Sequence, residues 1–436
     1  MKLKKYAFPG LTEDEMPIGG YVSPTPVHPL APGRKSQITD RVYRQVKESG
    51  INFLCATYEI LPQGEQDVRA SLELAGKYGI KMLIRDDRFF YRNPIPENYQ
   101  QIAEEWKKYP GYGGIHACDE PAACWYPKLR EMKEVFQKAV GKSFCCYINL
   151  FPMYADEKQL AGGEKDRINS GNQMVGCDHY TYENYIDDYL RIVQPEYLSY
   201  DYYPMQGDFP EMMADPLVQL DTIRRKTVEA GIPFWVFIQA TSWHKTVRFP
   251  TIPEMMWQIS TALAYGAKGV QYFSYATPIN GDVPEGEGYT ESILDANGNP
   301  TQRYYYMQYA NRHLRAIQHV MMNSDSLGVL AVGTTPREIA KGSLLNHVDG
   351  LSSADGKHLL IGVFDNDGKK AFYVVNNSIT ERDRAILELD ETYLVEQYLD
   401  DKGIQFSSQR LEIELPAGEG VLIVLKKIKN DRRMIK

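Results

Sequence analysis

Short apolar runs alternate with longer amphipathic segments over roughly the first 280 residues, and this rhythm predicts strand following helix many times over. The strand candidates are 17–23, 51–58, 80–86, 112–119, 143–150, 196–202, 233–239 and 268–275. Between them lie segments with apolar residues three and four positions apart, such as Trp125 to Val140 and Leu217 to Ala230. Glycines at 50, 79, 141, 231 and 266 stand where such segments end, as left-handed caps ahead of the next strand. Eight βα units in succession predict a closed (β/α)₈ TIM barrel, since near-apolar strands need helices outside to cover them. A doubly wound open sheet is the alternative. A further helix runs to about Met322, and from Ser326 the pattern changes to short alternating strands with turns, including Leu359 to Phe364, Ala371 to Asn376 and Gly420 to Lys426. The expected fold is therefore α/β: a catalytic barrel over residues 1–323, then a small antiparallel β-sandwich over 324–436 with an accessory role.

Composition narrows the function without fixing it. The chain has 436 residues, 43% hydrophobic and 24% charged, the balance of a globular protein with one large and one smaller domain. A net charge of −8 spread without acidic or basic blocks excludes the electrostatic footprint of a nucleic-acid or anionic-membrane binder. The 31 tyrosines suit sugar recognition, because a phenol ring can stack on a sugar face while its hydroxyl bonds to sugar hydroxyls; most, however, serve core and surface. Six cysteines, at 55, 118, 124, 145, 146 and 177, form no CxxC pair and no Cys/His zinc spacing, so reduced buried thiols are expected and no metal or other cofactor. With no apolar stretch behind the amino-terminal lysines and no membrane-spanning run, a cytoplasmic location is expected. The oligomeric state is not legible.

In such a barrel the chemistry lies at the carboxyl ends of the strands. Those ends carry Tyr21; Tyr58 and Glu59; Asp86; Asp119 and Glu120, closed by Pro121; Asn149; Asp201 with Tyr203; Gln239 with Trp243; and Tyr275. The rim is rich in carboxylates, amides and tyrosines, and it lacks a glycine-rich phosphate loop. Two carboxyl groups are what glycosidic cleavage requires, one to protonate the leaving oxygen and one to attack or to activate water. Glu120 beside Asp119 suits the acid, whose pKa must be raised. The structural alternative is that Asp119 caps the following helix. His116, four residues before Glu120, reads first as a satisfied barrel-core histidine.

Asp119-Glu120-Pro121, together with 262–275 and 293–301, resembles glycoside hydrolases of the (β/α)₈-barrel superfamily, similar to family 42 β-galactosidases and to cellulases. The resemblance implies that Glu120 is the acid/base, with Asp119 where many members have Asn. It also implies a nucleophilic Glu at the end of strand 7, yet that strand ends in Gln239, which cannot form a glycosyl ester. Asp201 is the expected substitute, as nucleophile or as the base of an inverting reaction, with Asp86 and Glu59 in reserve. A second reading follows enzymes of N-acetylhexosaminides, in which Asp119 orients the substrate's acetamide and Glu120 is the acid. Tyr21, Tyr58, Glu59, Asp86, Asn149, Tyr203, Gln239, Trp243 and Tyr275 are the expected carbohydrate contacts. The rivals from other classes are a non-catalytic sugar-binding barrel and a metal-dependent sugar isomerase, the latter disfavoured because the eight histidines mostly avoid the strand ends.

Overall fold

Alternation along eight parallel strands decides which side chains fill the barrel and which reach its mouth. The computed structural model describes residues 3–61, 63–89, 92, 96–172, 179–213, 215–281, 284, 287–335, 339, 344–399 and 402–428. Cys177 lies outside them. The strands are β1 (Ile18–Tyr21), β2 (Phe53–Leu61), β3 (Lys81–Asp86), β4 (Tyr112–Asp119), β5 (Cys145–Leu150), β6 (Leu198–Tyr200), β7 (Phe234–Gln239) and β8 (Gly269–Phe273). Each pairs in parallel with the next, and β1 also pairs with β8, which closes the barrel. All eight runs expected from the sequence hold a strand, and the helices Tyr126–Val140 and Pro216–Ala230 stand where the periodicity puts them.

Inward positions two residues apart stack in layers. Phe53 and Cys55 on β2, Cys145 and Tyr147 on β5, and Trp235 and Phe237 on β7 belong to one buried cluster with Phe8 and Tyr197. Tyr197 stacks on Trp235 with ring centres 3.9 Å apart and planes 13° from parallel. Two glycines make room for this plug: a Cβ on Gly19 would come within 2.3 Å of the Phe53 ring, and one on Gly269 within 2.6 Å of Trp235. The lower barrel is thus solid aromatic packing, and the same periodicity carries Asn149 above Tyr147, leaving polar groups for the carboxyl end.

Contacts group the chain into two compact units, residues 1–213, 225–250 and 268–311 in one, and 214–224, 251–267 and 312–436 in the other. The first contains the barrel strands. The second is built on antiparallel strands β9 (Ser324–Gly333), β10 (Leu351–Asp355), β11 (His358–Asn366), β12 (Lys369–Asn376), β13 (Asp383–Leu399), β14 (Lys402–Leu415) and β15 (Gly420–Lys427), in the order β10-β13-β15-β12-β11-β9 with β14 on β13. The register shifts between Glu388 and Tyr393, so the first half of β13 pairs with β10 and the second with β15. Alternate residues of β11, β12, β13, β14 and β15 then share one apolar core, including Ile361, Phe372, Leu387 and Ile413. Helix Ile252–Ala264 belongs to this unit, its Trp257 Nε1 donating to Asn377 Oδ1 at 2.7 Å.

One position in β4 admits no side chain. Gly114 has φ +140°, and a Cβ there would lie 1.9 Å from the carbonyl oxygen of Cys145 in the next strand. Gly114→Ala should therefore destabilise the protein by about 3 kcal/mol or more in urea denaturation. A loss below about 1 kcal/mol would contradict this packing of β4 on β5.

Candidate active site

The carboxyl ends of the barrel strands enclose a cavity of about 620 Å³, of the size that takes small-molecule ligands. Among the described residues five carboxyl groups line it: Asp86, Asp87, Asp119, Glu120 and Asp201. Two are already engaged. Asp86 is bound in a fork by Arg88, with Nε 2.9 Å from Oδ1 and Nη2 2.7 Å from Oδ2, and Asp87 stands 3.7 Å from Arg85. Asp119, Glu120 and Asp201 remain.

Adjacent strand residues normally face opposite ways, so Asp119 and Glu120 need a reason to share a cavity. The register of β4 on β5 shifts between His116 and Cys118, which breaks the period below Asp119. Glu120 then adopts φ +48°, a left-handed conformation rare for a residue with a side chain, while its amide donates to the Asn149 carbonyl at 2.9 Å. Both carboxyl groups reach the cavity as a result.

Asp119 does not cap a helix. Its Oδ2 accepts from the Tyr21 hydroxyl at 2.8 Å and its Oδ1 from Asn149 Nδ2 at 3.1 Å. The same Nδ2 lies 3.2 Å from Oδ1 of Asp201. One amide nitrogen thus bridges an oxygen of each aspartate. Behind Tyr21, His116 Nε2 lies 3.2 Å from the hydroxyl, and its Nδ1 faces the Ala56 carbonyl at 3.1 Å. Burial keeps the His116 imidazole below its ordinary pKa, against the pull of the Asp119 charge.

The three carboxyl groups differ in setting. Glu120 is half-buried and, among the described residues, no hydrogen bond reaches its carboxyl; burial and the neighbouring Asp119 push its pKa up to about 7. Asp201 is 5% exposed, and burial, then the charges of Glu120 and Asp119, push it well above the usual carboxylate range, with the Asn149 donor pulling the other way. Asp119 is the one open to solvent and held by two donors.

Facing the carboxylates is an aromatic wall. Trp243 meets Tyr203 edge-on at 4.8 Å, Phe273 at 5.5 Å and Tyr289 at 5.8 Å, and Phe273 also approaches Tyr21 at 5.8 Å. Tyr154, 42% exposed, lies at the cavity against Tyr202. Of the expected sugar contacts, Tyr21, Tyr58, Asp86, Tyr203 and Trp243 line the cavity.

Four others do not. Asn149 is buried between the two aspartates. Glu59 is buried against Ser23, its pKa raised to about 7 by burial, because the register shift between Cys55 and Ile60 turns Tyr58 to the cavity in its place. Gln239 is wholly buried; its Oε1 accepts from the Met205 amide at 3.0 Å and its Nε2 donates to the Arg248 carbonyl at 2.7 Å. Tyr275 is wholly buried behind Gly20. Among the residues that strand ends did not mark, Tyr154 and Tyr289 come from the segments after β5 and β8, where periodicity carries no signal. Among the described residues no His, Cys, Asp and Glu are grouped as a metal ion would require.

Residues 163–317 match the family model described as Beta-galactosidase, a stretch that holds β6, β7 and β8 but not Asp119 or Glu120. No curated protein matches the chain. Among solved structures, the α-amylase of Geobacillus thermoleovorans, solved with acarbose, is 12% identical with a TM-score of 0.51, covering 97% of this chain and 99% of its own. An Anoxybacillus α-amylase is 11% identical with a TM-score of 0.50, covering 95% and 99%. At these identities the likeness is one of fold.

A raised carboxyl pKa has a stability consequence of definite sign. Glu120 binds its proton more tightly folded, at about 7, than unfolded, near 4.5, so this contribution is full below pH 4.5 and is lost as pH rises through 7. Glu120→Gln should therefore be more stable than the parent at pH 8, by about 1–3 kcal/mol, with the gap closing at pH 5. Thermal denaturation at the two pH values measures it, and an equal or less stable variant at pH 8 would contradict the assigned environment.

Proposed function

We propose, from the premise that this chain is a glycosidase of the (β/α)₈-barrel class, that it hydrolyses a small neutral glycoside or oligosaccharide with retention. Glu120 is the proton donor and Asp119 the attacking carboxylate. The observation that carries this reading is the neighbouring pair at the cavity: Glu120, whose pKa burial and Asp119 raise to about 7, and Asp119, whose carboxyl accepts from Tyr21 and Asn149. Of the two aspartates that Asn149 bridges, Asp201 is the one whose pKa burial raises, and Asp119 is the one with two donors and open to solvent. Asp201 as resting nucleophile, the expectation drawn from strand ends, is thereby disfavoured.

The roles follow from where each proton is free to go. Glu120 has no hydrogen bond from the described residues on its carboxyl, and a pKa near 7 keeps the proton at neutral pH while letting it transfer to the leaving oxygen. The Asp119 charge then meets the positive anomeric centre and forms the glycosyl ester, and Glu120, now a carboxylate, takes the proton of the incoming water. Trp243, Tyr203 and Tyr289 offer faces for the sugar ring. Among the described residues Arg85 is the cation of the lining and stands beside Asp87, so those residues give the cavity excess negative charge that disfavours an anionic sugar. Cys55, Cys124, Cys145 and Cys146 are free thiols and buried, which suits a reducing, cytoplasmic setting.

One feature favours a variant of this chemistry. Gln239 is bound to Met205 and Arg248, so strand 7 brings no carboxylate to the cavity, and Asp119 stands directly beside the acid. An N-acetylhexosaminide could then supply its own acetamide as nucleophile, with Asp119 orienting it. Hydrolysis confined to 2-acetamido glycosides would select that route.

A panel of p-nitrophenyl glycosides tests the proposal. With a substrate that the parent turns over, Glu120→Gln and Asp119→Asn should each lower kcat by about 10³-fold, and Asp201→Asn by no more than about tenfold. If Asp201→Asn is instead the severe variant, the attacking group is Asp201. For the parent, kcat/KM should fall above pH about 7, as Glu120 loses its proton; activity undiminished at pH 9 would remove Glu120 as the acid.

A further inference from the structure

We propose that Asn149 is a positioning residue rather than a sugar contact: its amide, fixed in one orientation from behind, sets the separation of Asp119 and Asp201 and the division of charge between them. This rests on the reading above and deepens it.

The orientation is fixed by hydrogen-bond direction, not by size alone. Ser199 Oγ donates to Asn149 Oδ1 at 3.0 Å. A hydroxyl has one hydrogen, so Ser199 must accept its other bonds, and both neighbours can give them: Gln271 Nε2 lies 2.9 Å away and the Tyr147 hydroxyl 3.2 Å away. The Asn149 carbonyl therefore faces Ser199, and the nitrogen faces the aspartates with one hydrogen for each. A flipped amide would turn an oxygen toward two carboxyl groups, taking the donor from both, and would force Ser199 to redirect its one hydrogen to Tyr147. The sequence Gln271 and Tyr147 to Ser199, to Asn149, to both aspartates runs across β8, β5, β6 and β4 inside the barrel, where every member except Asp119 is buried.

The consequence for the aspartates follows from what else surrounds them. Asp201 faces Glu120 and Asp119 from β4, Tyr154 from the segment after β5, and Tyr200 and Tyr203 from its own strand end. None of these carries a positive charge, so Asp201 is moderated by hydrogen-bond donors, the Asn149 amide first and its own backbone amide second. An N–H donor favours the charged form of a carboxyl, and removing it raises the pH at which the proton leaves. Without the amide, Asp119 also loses one of its two donors, and nothing of fixed length stands between the two carboxyl groups.

The test needs no known substrate for its first arm. In protein labelled with ¹³C at the aspartate carboxyl carbons, with the Asp201 signal assigned from Asp201→Asn, Asn149→Ala should raise the Asp201 titration midpoint by at least one pH unit. Ser199→Ala, which frees the amide to turn but keeps it in place, should raise the midpoint by less, and it serves if Asn149→Ala does not fold. In the second arm, on the glycoside the parent cleaves, Asn149→Ala should lower kcat at least 30-fold with KM within threefold. A midpoint unchanged in the folded variants, or a kcat within twofold of the parent, overturns the positioning role. Glu120→Gln is measured alongside: if it retains full activity, the catalytic reading fails, and the titration alone then decides the role of Asn149.

Discussion

Carboxyl groups gathered in one cavity repel one another, and the upper barrel is arranged around that constraint. Bringing Asp119, Glu120 and Asp201 together is unfavourable unless protons or donors offset the charge. The protein uses both. Burial raises the pKa of Asp201 and lifts that of Glu120 to about 7, while Tyr21 and Asn149 donate hydrogen bonds to Asp119. A carboxyl that holds its proton near neutrality, beside a second carboxyl free to attack, is what a double-displacement reaction needs at its start. The catalytic proposal is thus a reading of how the repulsion is resolved.

The rest of the barrel supplies rigidity to that arrangement. Below the carboxyl groups, Trp235, Tyr197, Phe53 and Phe8 fill the interior, and Gly19 and Gly269 let the rings sit against the strands. A close-packed plug cannot relax toward the polar layer above it, so Ser199 and Asn149 keep their positions. Two departures from regular strand geometry then aim the acids. The shift between His116 and Cys118 and the left-handed Glu120 concentrate strain where the chemistry is proposed.

Much of the fold was legible because it depends on period and length. Strands as short as Leu198–Tyr200 were recoverable from apolar runs bounded by glycine and proline, and the change of pattern after Met322 marked the antiparallel strands. The site was legible in part. Strand ends nominated Asp119, Glu120, Asp201, Tyr21, Tyr58, Asp86, Tyr203 and Trp243, which do line the cavity. They also nominated Glu59, Gln239, Asn149 and Tyr275, which do not, since a register shift or a bond to a neighbouring loop redirects a side chain without leaving a mark in residue order. Tyr154 and Tyr289 lay outside any periodic element. His116, read as a core residue, is both buried in the barrel and part of the cavity wall, and only its distance to Tyr21 reveals the link to Asp119.

The central claim is that Asp119 attacks the substrate while Asp201, bridged to it by Asn149, does not. The most direct measurement traps the glycosyl-enzyme with an activated 2-deoxy-2-fluoro glycoside of the preferred sugar and maps the labelled peptide by mass spectrometry. The account predicts a label on Asp119 in the peptide that contains Glu120. A label on Asp201, or an unlabelled enzyme that releases the inverted anomer, would contradict it.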